Sequence, residues 1–126
     1  MRKTNSTNTV NKKRLETDCG MAYTISVLSG RWKLSILGFL LEDGELRYSE
    51  LKSRTIGVSE RMLVAQLKEL ETAGLVERKA YPMVPPKVEY KLTEKGKSLE
   101  TILMLMSEWG EKNKDCSFNR ATNIRQ

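Results

Sequence analysis

The chain has 126 residues, enough for one small domain, and its apolar (39%) and charged (30%) fractions are those of an ordinary globular protein. It contains no histidine and only two cysteines, Cys19 and Cys116, which lie far apart in sequence. With no CxxC, P-loop or GxGxxG motif either, we predict no enzymatic activity, no metal and no cofactor. No window is apolar over the length of a bilayer and the N-terminus is polar, so we expect a cytoplasmic protein without membrane contact.

The net charge of +6, from 22 basic and 16 acidic residues, is distributed unevenly. Residues 1–18 contain five basic and two acidic side chains, residues 75–97 contain six and three, and residues 98–126 contain four of each. A basic excess confined to two segments fits a surface that binds a polyanion on one side. From charge alone, a solvated basic surface without a partner fits equally well.

Three parts of the N-terminal half are predicted in chain order. Residues 1–18 are polar and basic with little to bury, which indicates a flexible arm. Apolar residues at helical spacing predict a first helix over Gly20–Leu28 and a second over Arg31–Leu41, and Asp43-Gly44 then forms a turn. Leu46-Arg47 is too short for more than a fragment of a β-strand.

The middle of the chain carries a pair of helices. Tyr48–Arg54 is predicted as a two-turn helix, and a glycine-containing connection leads to Ser59, a natural N-cap for the next helix. That longer helix directs three leucines toward the interior: Leu63, Leu67 and Leu70. A short helix, a glycine-containing turn and a longer helix form the helix-turn-helix pattern.

Two β-prone runs follow, Leu75–Tyr81 and Lys87–Thr93, joined by a loop that contains three prolines. An amphipathic helix followed directly by a basic hairpin suits a helix that enters a DNA groove beside a loop that grips the backbone. We therefore predict a mainly α fold with a small β-hairpin wing, a winged helix-turn-helix. The domain is expected over residues 19–114, with a C-terminal tail over 115–126.

A last helix is predicted from a cap at Thr93 to about Lys112. Its apolar stripe is wider than packing on one small domain requires, and comprises Leu99, Ile102, Leu103, Met104, Leu105, Met106 and Trp109. A helix with so much apolar surface needs a partner, for which a second subunit is the simplest choice. The alternative is that the first helix of the same chain covers it.

The order of several motifs resembles the HxlR family of bacterial winged helix-turn-helix regulators, which is related to the MarR group. The motifs are Cys19, Ser29-Gly30-Arg31-Trp32-Lys33, Arg47-Tyr48-Ser49-Glu50-Leu51, Gly74-Leu75-Val76, and the run Val84 to Thr93 with Gly96. The resemblance implies a homodimeric transcription regulator, a repressor in our interpretation, that binds a palindromic operator in double-stranded DNA. It also implies a dimer interface built from the first and last helices, for which we select Ile25, Ile102, Leu105 and Trp109.

Candidate DNA contacts fall into two groups. Base reading is assigned to the outward side of the longer helix: Ser59, Arg61, Met62 and Gln66. Phosphate contacts are assigned to cations near the helix-turn-helix and the hairpin: Arg31, Lys33, Lys52, Arg78, Lys79 and Lys87. Any one of these cations alone could be a plain surface charge, but DNA explains the group better.

Some members of the family sense oxidants or electrophiles through a cysteine just before the first helix, which is the place of Cys19. A helix N-terminus favours a thiolate, so Cys19 is the sensor candidate, with Cys116 of the other subunit as its possible partner. An inert buried cysteine is the alternative. A small-molecule inducer is compatible with the sequence but not identified by it. Two other functions stay open, namely a thiol-based redox sensor and a protein-interaction winged helix, both without operator binding.

Overall fold

The computed structural model describes residues 19–115, so the predicted arm, Cys116 and the tail beyond residue 115 lie outside the described residues. The helices and strands follow one another in this order: α1 Gly20–Leu28, α2 Lys33–Asp43, β1 Glu45–Arg47, α3 Tyr48–Arg54, α4 Glu60–Thr72, β2 Val76–Tyr81, β3 Lys87–Leu92, α5 Glu94–Lys97 and α6 Glu100–Asn113. The predicted mainly α fold with a small β wing is confirmed.

The helix-turn-helix consists of α3 and α4. The backbone N–H of Arg47 donates to Glu50 Oε1 at 2.8 Å, which caps the start of α3. Gly57 lies in the turn with φ +92°, a conformation that favours glycine. Ser59 then caps α4 as predicted, because its Oγ accepts a hydrogen bond from Met62 N–H at 3.1 Å. These local caps fix where both helices begin.

The wing belongs to a three-stranded antiparallel sheet with the order β1-β3-β2. Strands β2 and β3 pair along their whole length, from Val76 opposite Leu92 to Tyr81 opposite Lys87. The short segment predicted as a strand fragment is β1, and it pairs with β3 through Leu46 opposite Tyr90. The sheet thereby ties the start of the helix-turn-helix to the hairpin.

The core lies where α2, α3 and α4 meet the sheet. Its largest fully buried side chains come from these helices and from the residue before β2: Ile36, Leu37, Leu40, Leu51, Leu63, Leu67, Leu70 and Leu75. Burial of each such side chain contributes about 1.5–3 kcal/mol relative to its exposure to water. The packing therefore holds α4 with one side against the core and the other toward solvent.

Two predicted helix boundaries are wrong. The second helix runs over Lys33–Asp43 and not over Arg31–Leu41. The predicted last helix is two helices, α5 and α6, which are separated at Ser98 and Leu99. The break occurs because Leu99 turns into the core, while Thr93 caps only the single turn of α5 through Gly96 N–H.

The outer face of the molecule carries apolar side chains that the described chain does not cover. Helix α6 buries no residue, and the exposed fractions are 42% for Ile102, 58% for Leu105 and 69% for Trp109. Ile25 on α1 is also exposed, at 56%. The alternative in which α1 of the same chain covers the last helix is therefore wrong for the described residues.

No single helix within residues 19–115 has the length and apolar character to cross a membrane. Helices α1 and α2 pass that test only when taken together, and they are bent by 86° at the break between them.

Candidate nucleic-acid interface

The N-terminal half of α4 presents an exposed surface next to the turn. Ser59, Arg61 and Met62 are all exposed there, as predicted from the leucine stripe, while Leu63 is fully buried. A helix projecting its first turns from a compact body in this way can enter the major groove of DNA. Arg61 is a bidentate donor that suits guanine, and Met62 offers apolar surface for a thymine methyl group.

The expected outward position of Gln66 is wrong. Its exposed fraction is 8%, and its Oε1 is buried without a hydrogen-bond partner among the described residues. The reason lies in the helical period: position 66 is three residues after Leu63 and four before Leu70, so it belongs to the inward face. That spacing was readable in the sequence, and the polar character of glutamine obscured it.

Lys33 likewise does not lie on the open surface. Its exposed fraction is 6%, and its Nζ forms an ion pair with Glu69 Oε1 of α4 at 2.7 Å. The expectation of a free cation at the start of α2 is wrong for this residue. Arg31 is exposed, and its guanidinium lies 4.6 Å from the ring centroid of Trp32, which packs against the core.

Two of the three predicted wing cations, Lys79 and Lys87, lie beside the same aromatic ring, while Arg78 precedes Lys79 in β2 and lies opposite Tyr90. The ammonium groups of Lys79 and Lys87 lie 5.2 Å and 4.6 Å from the ring centroid of Tyr81. Lys87 Nζ is also 3.3 Å from Glu89 Oε2, and the Tyr81 hydroxyl donates to Glu89 Oε1 at 2.9 Å. That hydroxyl, with a smaller effect from Lys87, holds the pKa of Glu89 below its ordinary value. The Glu89 charge thus offsets part of the positive charge of the wing.

A pocket of about 410 Å³ lies between the wing and the helix-turn-helix. It is lined by three cationic and six other side chains: Arg47, Arg78, Lys87, Tyr48, Ser49, Val64, Pro86, Val88 and Tyr90. The Tyr48 hydroxyl is buried without a partner among the described residues, and burial is the main cause that raises the pKa of both Tyr48 and Tyr90. The pocket thus borders α4 through Val64 and the wing through Arg78 and Lys87.

Sequence reasoning missed Arg47 as part of this surface. It immediately precedes α3, and its partner opposite in the sheet is Glu89 of β3. The pairing of β1 with β3 is what brings Arg47 to the wing, and this contact between distant segments has no local sequence signal. Lys52, by contrast, is a partly buried residue of α3 that does not line the pocket.

Cys19 occupies the N-cap position of α1 and is partly buried. Its backbone carbonyl accepts a hydrogen bond from Ala22 N–H at 3.1 Å, and its side chain makes no capping hydrogen bond. The position just before the first helix is as predicted. Its suggested partner, Cys116, lies outside the described residues.

Comparison with known proteins gives the family. A family model described as HxlR-like helix-turn-helix matches residues 27–118. The chain belongs to this family. The HTH-type transcriptional regulator YybR of Bacillus subtilis, itself uncharacterized, is 46% identical over 97 residues, which span 77% of each protein.

Solved structures agree with this assignment. The redox regulator HypR in its oxidized form is 44% identical, with a TM-score of 0.70 over 77% of this chain and 99% of that one. The reduced transcriptional regulator YodB of Bacillus subtilis is 37% identical, with a TM-score of 0.67 over 75% of this chain and 92% of that one. This member of the HxlR-like family is thus a transcriptional regulator of the HxlR/MarR type.

Proposed function

We propose that this HxlR-like regulator is a homodimeric repressor that binds a palindromic operator in double-stranded DNA. The observation that carries the proposal is the exposed N-terminal half of α4 beside a wing with clustered cations, in a chain of a helix-turn-helix family. Such a surface pairs a groove-reading helix with backbone contacts, which is how winged helices combine specificity with affinity.

Base reading in this proposal rests on Ser59, Arg61 and Met62. The Oγ of Ser59 accepts the capping hydrogen bond of α4, so this residue positions the start of the helix. Its contact with DNA is made by the part of the side chain that stays exposed. Arg61 provides the contact with a base edge because its side chain is exposed and forms no ion pair with another described residue. Gln66 is left out because it is buried.

Phosphate binding is proposed for the cations of the pocket and wing. They are Arg47, Arg78, Lys79 and Lys87, and the exposed Arg31 and the partly buried Lys52 stay as candidates from the sequence. Lys33 is left out because its charge is already paired with Glu69. Phosphate contacts of this kind carry no sequence information but supply much of the affinity, which makes binding dependent on salt.

The dimer in this proposal buries the exposed apolar surface of α1 and α6. Four side chains would lose their exposure there: Ile25, Ile102, Leu105 and Trp109. A two-fold interface uses the same patch on both subunits and presents the two α4 helices to DNA with two-fold symmetry. A palindromic operator is the DNA counterpart of that symmetry.

Regulation is proposed to act through Cys19. Its place at the start of α1, within the proposed interface, supports this, and so does similarity to the redox regulator HypR. Oxidation or alkylation there would displace α1 and with it the partner subunit. Whether Cys116 takes part is a separate question, which mass spectrometry of the oxidized dimer can answer.

The test is a gel-shift titration of the purified chain on the DNA upstream of its own gene, before and after diamide treatment. We expect a specific complex with untreated protein, its loss after treatment, and resistance to treatment in Cys19→Ser. No specific complex with reduced protein would contradict operator binding and favour a redox sensor or a protein-interaction module. If treated wild type bound the operator as well as untreated protein, Cys19 would not be a sensor, but the repressor role would stand.

A further inference from the structure

The turn between α1 and α2 is held against α4 by four residues, which we call the clasp: Gly30, Lys33, Gln66 and Glu69. The buried Lys33 ammonium has its counter-charge in Glu69, at 2.7 Å, and the carboxylate of Glu69 stays largely exposed. A buried ammonium is costly unless it is paired, so the charge of Lys33 holds α2 to this one point of α4.

Gly30 lets the turn approach α4 closely. Its φ is +130°, a conformation that side-chain-bearing residues rarely adopt, and a Cβ at this position would lie 2.6 Å from Gln66 Oε1 and 3.3 Å from Lys33 Cδ. A larger residue would have to displace the side-chain amide of Gln66 or shift the turn, in addition to adopting this backbone conformation. The backbone conformation therefore favours glycine where the clasp closes, and the neighbouring side chains of Gln66 and Lys33 leave little space there.

Gln66 lowers the stability of the fold in this position. Its Oε1 is buried without a partner among the described residues, in a stripe otherwise made of leucines. A buried polar group that is not fully satisfied lowers stability, so stability alone does not explain it. Together with Glu69, three residues further along the same helix face, it marks the place where α4 meets the turn.

The far end of α4 is also held to α1. Lys95 Nζ donates to the backbone carbonyl of Ala73, which follows α4, at 2.8 Å and to the hydroxyl of Tyr23 on α1 at 2.7 Å. Helix α4 is thus connected at two separated points, through the clasp to the turn and the start of α2, and through Lys95 to α1. Loss of the clasp would leave α4 held by its core leucines and by the Lys95 contact, with the turn between α1 and α2 no longer tied to it.

We propose that the clasp is a positioning device that fixes the angle of α4 relative to α1, and thereby the separation of the two recognition helices in the dimer. The proposal rests on the proposed dimeric, DNA-binding function. Helices α1 and α2 meet at a bend of 86°, and Gly30 and Lys33 of the clasp lie at that break. Two-fold symmetry doubles any change in the angle, so Lys33, Gln66 and Glu69 would determine which half-site spacing is accepted without touching DNA.

The experiment uses the full chain and an operator selected from randomised duplex DNA. Fluorescence anisotropy measures affinity for that operator, for versions with one or two base pairs added or removed between the half-sites, and for a single half-site. The test variants are Lys33→Met and Glu69→Gln. Lys33→Arg is the conservative rescue, and the exposed pair Lys68→Met and Glu71→Gln provides matched controls on α4.

For the wild type and the controls we expect affinity to fall about tenfold or more for one base pair of altered spacing, since each base pair rotates a half-site by roughly a tenth of a turn. In Lys33→Met and Glu69→Gln that penalty should shrink below about threefold, with half-site affinity unchanged within about twofold. Lys33→Arg should restore the wild-type profile.

A loss that is uniform over all spacings and the single half-site, or an unchanged profile, would overturn the positioning role. Thermal melting checks that each variant folds, and Glu69→Gln carries the test if Lys33→Met does not, because its carboxylate is mostly exposed. A wild type that binds no two-site DNA would overturn the proposed function and the clasp with it. A sharply selective wild type with equally selective variants would overturn the clasp alone.

Discussion

At the scale of single residues, Arg61 is the exposed side chain of α4 best equipped to read a base edge. Arg61→Ala should weaken operator binding by about 1–3 kcal/mol and relax the preference at one base pair per half-site. Lys68→Ala, which removes another exposed cation of α4, is the control. Competition titrations with single-base operator variants measure both effects. Equal weakening on every DNA would make Arg61 a phosphate contact.

Glu89 gives the wing a dependence on pH that can be tested without DNA. Its folded-state pKa is lowered by the Tyr81 hydroxyl and, to a lesser extent, by Lys87. The ionised carboxylate therefore stabilises the fold above the ordinary pKa of 4.5, and this contribution is lost as pH falls through the lower folded-state value.

The free energy of unfolding should accordingly fall more between pH 6 and about pH 3 in the wild type than in Glu89→Gln. Urea titrations at both pH values measure the difference, and Glu77→Gln, an exposed carboxylate of β2, is the control. If Glu89→Gln and wild type lost stability in parallel, the Tyr81–Glu89 hydrogen bond would not support the wing in solution.

At the scale of elements, the junction of β3, α5 and α6 depends on a close approach of backbone. A Cβ on Gly96 would collide with the backbone carbonyl of Leu75, whereas a Cβ on Gly38 of α2 would meet nothing within 4 Å. Gly96→Ala should destabilise the protein by roughly 2 kcal/mol or more. Gly38→Ala should stabilise it by about 0.5–1 kcal/mol, because alanine favours a helix interior. Chemical denaturation compares them, and equal stabilities would contradict the packing at this junction.

Elements that are fixed by nearby residues could be predicted from the sequence. Helices α1 and α3 begin and end at the predicted residues, and the cap at Ser59 is confirmed, because caps and helical periodicity act within a few positions. Strand β1 was seen only as a fragment, since its pairing with β3 joins segments more than forty residues apart. The break before α6 similarly depends on how Leu99 packs into the core.

The same difference between local and distant contacts limited how well the site could be predicted. Residue type and spacing placed Arg61 and Met62 on an exposed helix face, where the structure has them. Residue type and place on a helix assigned Lys33 and Gln66 to DNA, although both are buried. The burial of Gln66 follows from helical spacing that the sequence does display, whereas the burial of Lys33 depends on Glu69 of another element, a contact that the sequence does not display.

At the scale of the whole molecule, the exposed apolar surface of α6 should make the folded chain depend on its partner. Leu105→Glu would place a charge in the proposed interface, and a buried unpaired carboxylate is strongly unfavourable. We expect a monomer or an aggregate that no longer binds operator. Glu108→Gln, an exposed position on the same helix, is the control. Sedimentation velocity reports the oligomeric state, and a folded Leu105→Glu monomer with wild-type affinity for the full operator would contradict the dimer.

The central claim is that two copies of this regulator bind one two-fold symmetric DNA site. It is tested most directly by selecting binding sequences from randomised duplex DNA and measuring the mass of the resulting complex by sedimentation equilibrium. We predict a palindromic sequence whose half-sites lie about one helical turn apart, with two chains on each duplex. A single chain per duplex, or selected DNA without two-fold symmetry, would contradict the claim.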